Sequence, residues 1–261
     1  MTPPREGNIF SSLARKRLSE IGKVLLVGSG KGGVGKSLVA CGLGVSLSQG
    51  GSSAGLLDLD LHGSSVPAYL GLEPPMRSSD EGLEPKLAGN LKVMSPSLFT
   101  GSNPLPIRGK EKPQLIEQLF AQTNWGRLDY LLVDLPPGTG DEVLSAFRLF
   151  AQASLILVTT PSKIALKVVS LLKGLADTEK VPVEGVVLNM AYETSDGTRS
   201  FPLGRLEGPE IGRALGAELL AEIPLDPIVN SRSLTEILGT RNDVSTAISN
   251  LSRRIAALRQ G

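Results

Sequence analysis

The stretch that decides the fold is Gly28-Ser29-Gly30-Lys31-Gly32-Gly33-Val34-Gly35-Lys36-Ser37. Phosphate oxygens are bound by several backbone N–H groups that converge from one side, and a tight loop offers them only where side chains do not intrude. Gly30, Gly32, Gly33 and Gly35 meet that need. The stretch therefore predicts a loop that binds the phosphates of a nucleotide.

The neighbouring segments place this loop between a strand and a helix. Residues 23–27 form a short apolar run typical of a buried strand, and residues 38–47 read as a helix, which is the context of a P-loop. The helix dipole adds to phosphate binding. Lys36 is expected to neutralise the β- and γ-phosphates, and the Ser37 hydroxyl to bind Mg²⁺. The nucleotide-binding residues predicted are Gly30, Lys31, Gly32, Gly33, Val34, Gly35, Lys36 and Ser37.

Apolar runs alternate with helix-like segments along most of the chain. Further strands are predicted at 54–59, 91–95, 130–135, 154–159, 183–188 and 218–223, and helices at 113–122, 142–151, 163–178 and 209–215. Strands that are apolar on both faces and are joined by helices indicate an α/β fold: a mainly parallel, doubly wound sheet with helices on both faces.

Two stretches are predicted to be irregular. Residues 62–90 are expected to form a long excursion after the second strand, and residues 191–208 a mobile loop. No repeat or convincing domain boundary is present, so we expect an N-terminal extension at 1–22 and a single P-loop domain at 23–261.

Three carboxylates follow predicted strands. Asp58 and Asp60 end one strand and Asp134 ends another. Ligands of open parallel sheets bind beyond the carboxyl ends of the strands, so these side chains should share the rim that carries the P-loop. Asp134 is expected to hold Mg²⁺ through water. The Pro- and Gly-rich stretch 135–141 is expected to be a nucleotide-sensing switch.

Composition excludes several classes of protein. The 261 residues carry a net charge of +1, which gives no electrostatic footprint for nucleic acid or an anionic membrane. Cys41 is the single cysteine, so neither an internal disulfide nor a cysteine metal site can form within one chain. No run is long and apolar enough to span a membrane, and no signal-peptide core is present, so a cytoplasmic protein is expected.

The C-terminal segment 243–258 has apolar residues at helical spacing. The stripe consists of Val244, Ile248, Leu251, Ile255 and Leu258. Such a stripe usually faces a core, which favours a helix docked on the body of the protein. The alternative is a helix that lies on a membrane surface.

The segment 30–37 resembles the deviant Walker A motif of the Mrp/MinD-type P-loop ATPases, which is marked by a second lysine, here Lys31. Other stretches look like the Mrp group: 58–67, 134–141, 158–161, 185–190 and 223–226. The resemblance implies an ATP-dependent homodimer in which Lys31 reaches the partner's phosphates. It also implies that Asp60 orients the attacking water and that Asn189 lies by the adenine. No guanine-reading Asn-Lys-x-Asp motif is present, which favours ATP over GTP.

The chain departs from the Mrp pattern at two places. Relatives that carry iron–sulfur clusters have Cys-x-x-Cys soon after the Asn-Met element, whereas residues 191–200 contain no cysteine. Clusters need thiolate ligands, and Cys41 lies four positions after Ser37 in a segment expected to pack inside, so a bridging cluster is not expected. Val168 stands where relatives often have an Asp.

Three functions remain open on sequence alone. The first is an Mrp-like ATPase that dimerises on ATP and serves iron–sulfur cluster or metal-cofactor assembly, with a client metalloprotein as partner. The second is a MinD/ParA-like regulatory ATPase that binds a membrane, DNA or a protein. The third is a nucleotide-binding relative that has lost turnover.

Overall fold

In the part of the chain that the computed structural model describes, the strands form one large sheet and two separate hairpins. The structure describes residues 9–61, 63–79, 82–100 and 111–258, so His62 lies outside it. The strands are β1 (Ile21–Ser29), β2 (Ala54–Asp58), β3 (Arg77–Ser79), β4 (Gly82–Glu84), β5 (Lys86–Ala88), β6 (Leu91–Met94), β7 (Leu128–Asp134), β8 (Ser154–Thr159), β9 (Val183–Leu188), β10 (Glu193–Ser195), β11 (Thr198–Ser200) and β12 (Leu219–Glu222). The large sheet has the order β12-β9-β8-β1-β7-β2-β6-β5. Its pairs are parallel except β5 with β6, which confirms the predicted mainly parallel sheet.

Helices cover both faces of this sheet. They are α1 (Ile9–Ser19), α2 (Lys36–Gln49), α3 (Val66–Leu70), α4 (Ser97–Thr100), α5 (Lys112–Gln122), α6 (Asp141–Leu149), α7 (Lys163–Thr178), α8 (Gly208–Leu215), α9 (Leu234–Leu238) and α10 (Asp243–Ala257), with a 3₁₀ turn at Pro227–Asn230. Successive strand residues point to opposite faces. Accordingly, Leu26 belongs to a core with Phe120 of α5, and Leu25 to a second core with Val39 of α2.

Both stretches expected to be irregular contain secondary structure. The excursion holds α3, the β3–β4 hairpin and β5, and the expected mobile loop holds the β10–β11 hairpin. The expectation for 191–208 was therefore wrong for residues 193–200. The turn of this hairpin is Asp196-Gly197, where both residues have positive φ, as a tight two-residue hairpin loop requires.

The two ends of the described chain pack on the body. In α1, Ala14 is buried and belongs to the core that contains Phe120 of α5. The division of the chain into an extension at 1–22 and a domain at 23–261 stays a prediction. In α10, the apolar stripe is buried against α2 as far as Ile255, which confirms the docked helix. Leu258 at its end is exposed. Among the helices of the described residues, none has the length and hydropathy required to cross a bilayer.

Candidate functional site

The glycine-rich loop joins β1 to α2, and two of its glycines are required by close packing. A Cβ on Gly30 would lie 2.4 Å from the backbone carbon of Val168 in α7. Gly35 has φ +80°, and a Cβ there would lie 2.0 Å from Nδ2 of Asn189. Any larger residue at either position would displace the loop, so these glycines set its path over the sheet.

The loop borders a cleft at the carboxyl edge of the sheet. The cleft has a volume of ≈ 230 Å³. It is lined by Ser29, Lys31, Gly32, Gly33, Val34, Gly35, Lys36, Ser37, Asp60, Gly63, Ser65, Tyr69, Pro137 and Met190. Gly35 occupies the N-cap of α2 and has no side chain to cap it, so N–H groups of the first turn stay available to an anion. The cleft thus combines a helix N-terminus with loop amides, as the sequence predicted.

Lys36, Ser37 and Asp134 form a buried cluster at the base of this loop. Lys36 Nζ donates to Asp134 Oδ1 at 2.6 Å, and the Ser37 hydroxyl donates to Asp134 Oδ2 at 2.5 Å. Burial raises the pKa of Asp134, and the Lys36 ammonium acts against that rise. A hydroxyl is a hard oxygen ligand that Mg²⁺ accepts together with substrate phosphates, and a carboxylate beside it can bind a water molecule of that ion, so Ser37 and Asp134 fit the predicted metal site.

Asp58 lies beside Asp134 in register on the neighbouring strand. It is fully buried, and no ion pair within the described residues involves it. Its Oδ1 accepts the Asp60 N–H at 3.0 Å, and its Oδ2 accepts the hydroxyls of Ser95, at 2.6 Å, and Ser64. Burial, followed by the charge of Asp134, raises the pKa of Asp58 to about 7. Ser95 was not among the residues predicted for the site, although it follows β6 at this same edge of the sheet.

Asp60 and Lys31 both line the cleft, but neither belongs to the buried group of Lys36, Ser37 and Asp134. Asp60 Oδ1 accepts the Gly63 N–H at 3.2 Å. Lys31 is exposed, and its carbonyl accepts the hydroxyl of the buried Ser29 at 3.0 Å. Since no ion pair of the described residues includes Lys31, its ammonium can contact an anion outside its own loop.

The predicted switch stretch is attached to the P-loop strand. The N–H of Gly138 donates to the Ser29 carbonyl at 2.9 Å, and Pro137 lines the cleft. Gly138 has φ +90°, a conformation that glycine adopts without strain. A change at the cleft can therefore reach this turn, whose far end begins α6 at Asp141.

Asn189 holds the loop from beneath. It is fully buried at the end of β9, and its Nδ2 donates to the Val34 carbonyl at 2.9 Å. Its Oδ1 is buried and has no hydrogen-bond partner. Met190, which the sequence analysis did not single out, follows with φ 55° and lines the cleft. The expected contact of Asn189 with adenine stays a prediction.

Cys41 is poorly placed to be a ligand of an iron–sulfur cluster. The side chain is fully buried in α2, as the sequence analysis expected, and burial raises the pKa of the thiol, followed by the charges of Asp134 and Asp58. Ligation requires the thiolate, which this environment disfavours. Among the described residues, no group of three or more His, Cys, Asp or Glu side chains is placed to hold a metal ion.

A larger cavity lies away from this chemistry. It has a volume of ≈ 430 Å³ and is bordered by α1, the start of β1 and the end of α6, and none of the predicted site residues lines it. The smaller cleft is the better candidate, because it brings together loop amides, cations and carboxylates.

The fold and the loop define a P-loop nucleotide-binding protein. A sequence profile of the family described as "ParA: NUBPL iron-transfer P-loop NTPase" matches residues 20–257. The chain belongs to this family, which confirms the resemblance noted from the motifs.

Three curated relatives are 34–37% identical to the chain over the aligned residues. It is 37% identical over 208 residues to the "Iron-sulfur cluster carrier protein" of Saccharolobus solfataricus, covering 77% of this chain and 70% of the relative. It is also 37% identical to the protein of that name from Aquifex aeolicus, and the alignment covers 84% of this chain and 62% of the relative. It is 34% identical to "Fe-S cluster assembly factor HCF101, chloroplastic" of Arabidopsis thaliana, and the alignment covers 94% of this chain and 46% of the relative. The chain thus spans less than two thirds of the length of the latter two.

Solved structures share the fold. A nucleotide-binding protein from Archaeoglobus fulgidus in complex with ADP superposes with a TM-score of 0.74 at 36% identity, covering 87% of this chain and 90% of that one. The cell division ATPase MinD of Pyrococcus furiosus gives a TM-score of 0.67 at 21% identity, covering 91% and 99%. This second likeness concerns the fold alone.

Proposed function

We propose that the chain is an ATPase that dimerises on ATP and acts in the assembly of iron–sulfur clusters or other metal cofactors on client proteins. The observation that carries the proposal is the group of Lys36, Ser37 and Asp134 beneath the glycine loop, in a chain whose relatives are named iron–sulfur cluster carrier proteins or an Fe–S cluster assembly factor. Lys36 contacts the β- and γ-phosphates of ATP, while Ser37 and Asp134 hold Mg²⁺, which screens the phosphate charge.

Hydrolysis requires a group that orients water and a cation that stabilises charge on the γ-phosphate. We assign the first role to Asp60, whose carboxylate lines the cleft. We assign the second to Lys31 of an opposing copy, because this lysine is exposed at the mouth of the cleft. Asn189 supports the loop through Val34 and faces the base in this proposal. Loss of the γ-phosphate then relaxes the stretch 135–141.

The iron–sulfur cluster is cargo in this proposal, and its ligands come from another protein. Cys41 is buried with a raised pKa, and residues 191–200 have no cysteine. Two copies of the chain therefore offer no accessible thiolates, so the cysteines of a partner or client must hold the cluster.

Three measurements test the proposal. The purified protein should hydrolyse ATP with Mg²⁺, and Lys36→Ala should not. Reconstitution with iron and sulfide should yield no stoichiometric cluster, with Cys41→Ser giving the same result as the parent. Cluster formation on an apo-ferredoxin supplied with iron and sulfide should be faster with the protein and ATP than with Lys36→Ala.

The alternative is the regulatory ATPase of the MinD/ParA kind. ATP-dependent binding to anionic liposomes or DNA, with no effect on the apo-ferredoxin, would favour it over cofactor assembly. The burial of most of the α10 stripe removes one membrane-binding candidate from this alternative.

A further inference from the structure

Residues 59–61 and 63–65, which include Asp60, are attached to the sheet in part through Asp58. Asp58 accepts the N–H of Asp60 on one oxygen and the Ser64 hydroxyl on the other. A backbone bond from Leu59 N–H to the Asp134 carbonyl, 2.9 Å long, adds a second attachment at the start of the segment. The direction of the Asp60 side chain therefore depends on how the Asp58 carboxyl group is held.

Ser95 is the group that holds this carboxyl from the other side. Its hydroxyl donates to Asp58 Oδ2 at 2.6 Å, and its oxygen lies 3.0 Å from those of Ser64 and Ser97. Ser95 is fully buried behind Asp58, outside the set of residues that line the cleft. It can therefore influence a nucleotide only through its neighbours.

The two oxygens of a carboxyl group lie in one plane, so fixing one fixes the direction of the other. While Ser95 binds Oδ2, Oδ1 stays directed at the Asp60 N–H. Without that hydroxyl, Oδ2 keeps only the Ser64 hydroxyl, which belongs to the same segment as Asp60 and can move with it, so the carboxyl can rotate about its terminal bond, which has a broad energy profile. Rotation would release the Asp60 N–H and leave polar groups unpaired in a buried place.

We propose that Ser95 is a positioning residue that acts through Asp58 to set Asp60 over the cleft. The proposal rests on the proposed function, in which Asp60 orients the water that attacks ATP. It adds a residue that directly follows β6 and lies outside the P-loop. Because misplacing a reacting group by about 1 Å can cost about a hundredfold in rate, removing one buried hydroxyl should be measurable.

The test compares Ser95→Ala with Ser97→Ala as a control. Ser97→Ala removes a hydroxyl that contacts Ser95 but not Asp58, so both hydroxyls on Asp58 remain. The turnover number at saturating ATP and the dissociation constant for ATP are measured separately. For Ser95→Ala we expect turnover to fall about tenfold or more with ATP affinity within about twofold of the parent, and Ser97→Ala to match the parent in both. Ser95→Thr, which keeps the hydroxyl, should recover most of the turnover.

Hydrogen exchange supplies a second readout in the protein without nucleotide. The amides of Asp60 and Gly63 should exchange faster in Ser95→Ala, and an equal rate in both proteins would contradict the proposal. If Ser95→Ala does not fold, Ser64→Ala removes the other hydroxyl on Oδ2 and should show the same split. Parent-like turnover in a folded variant would overturn the inference alone, whereas a parent without ATP turnover would overturn the proposed function and the inference with it.

Discussion

Lys36 Nζ lies 2.6 Å from Asp134 Oδ1, and both side chains are buried where the P-loop meets the end of β7. The two residues are ninety-eight positions apart in the sequence, and the parallel pairing of β1 with β7 brings them together. One side chain is the cation proposed to contact phosphate, and the other is the carboxylate proposed to bind Mg²⁺. Their contact links nucleotide binding to the stability of the fold.

Lys36→Ala should abolish ATP binding and also destabilise the protein. Breaking a buried pair by removing one partner costs about 3–5 kcal/mol, because the other charge stays buried. Adding Asp134→Asn to Lys36→Ala should restore part of the lost stability without restoring ATP binding. Urea unfolding and calorimetric titration measure the two effects, and a double variant no more stable than Lys36→Ala would contradict this account.

Gly35→Ala should damage the loop, while Gly32→Ala should leave the fold intact. Alanine at residue 35 would need φ +80° and would place its Cβ 2.0 Å from Asn189 Nδ2, whereas a Cβ on Gly32 meets nothing within 4 Å. We therefore expect a lower melting temperature for Gly35→Ala alone. Differential scanning calorimetry checks this, and equal melting of the two variants would be incompatible with the loop geometry.

Without nucleotide and metal, Asp58 should make the protein less stable as the pH rises. Its pKa of about 7 in the folded state lies above the ordinary value of 3.8, so between these values the folded chain holds a proton that the unfolded chain has lost. The free energy of unfolding should then fall from about pH 4 to about pH 7, by at most about 1.4 kcal/mol for each step of one in pH. The raised pKa of Asp134 acts in the same direction.

Urea unfolding across this pH range, with Asp58→Asn and the exposed Asp196→Asn as matched variants, measures the slope. Asp58→Asn should flatten it, because the amide does not titrate, and Asp196→Asn should follow the parent. A slope unchanged by Asp58→Asn would show that the carboxyl titrates normally.

Lys31→Ala should spare ATP binding by the single chain but prevent ATP-driven dimerisation. The side chain is exposed at the cleft and lies outside the Lys36–Asp134 pair, so its loss should not disturb its own site. The control is Lys16→Ala. It removes an exposed lysine of α1, away from the cleft, and should dimerise like the parent. Sedimentation velocity with Mg·ATP separates the two, and a dimer of Lys31→Ala would exclude the role in the opposite site.

The sequence was sufficient to predict the parallel strands of the large sheet and the groups around the phosphate loop, but not the antiparallel edge strand β5. Residues 154–159, 183–188 and 163–178 agree with β8, β9 and α7 at both ends, because apolar runs and helical stripes are strong local signals. Lys36, Ser37 and Asp134 could be placed together because parallel strands expose their carboxyl ends on one edge.

Other features depend on contacts that no local pattern contains. The backbone of Val168 in α7 lies against Gly30, and Ser95 reaches Asp58 from the end of β6, the strand next to β2 in the sheet. The β10–β11 hairpin had a local signal in Asp196-Gly197, but its short strands are exposed and lack an apolar face. Tertiary neighbours, rather than propensity, decide such places.

The most direct test of the central claim is the mass of Asp60→Ala in solution with and without Mg·ATP. The chain has a mass of 27.4 kDa, and light scattering should report that value without nucleotide and twice that value with ATP, because binding without hydrolysis traps the dimer. A mass of one chain under both conditions, at ATP concentrations shown to saturate the site, would contradict the account.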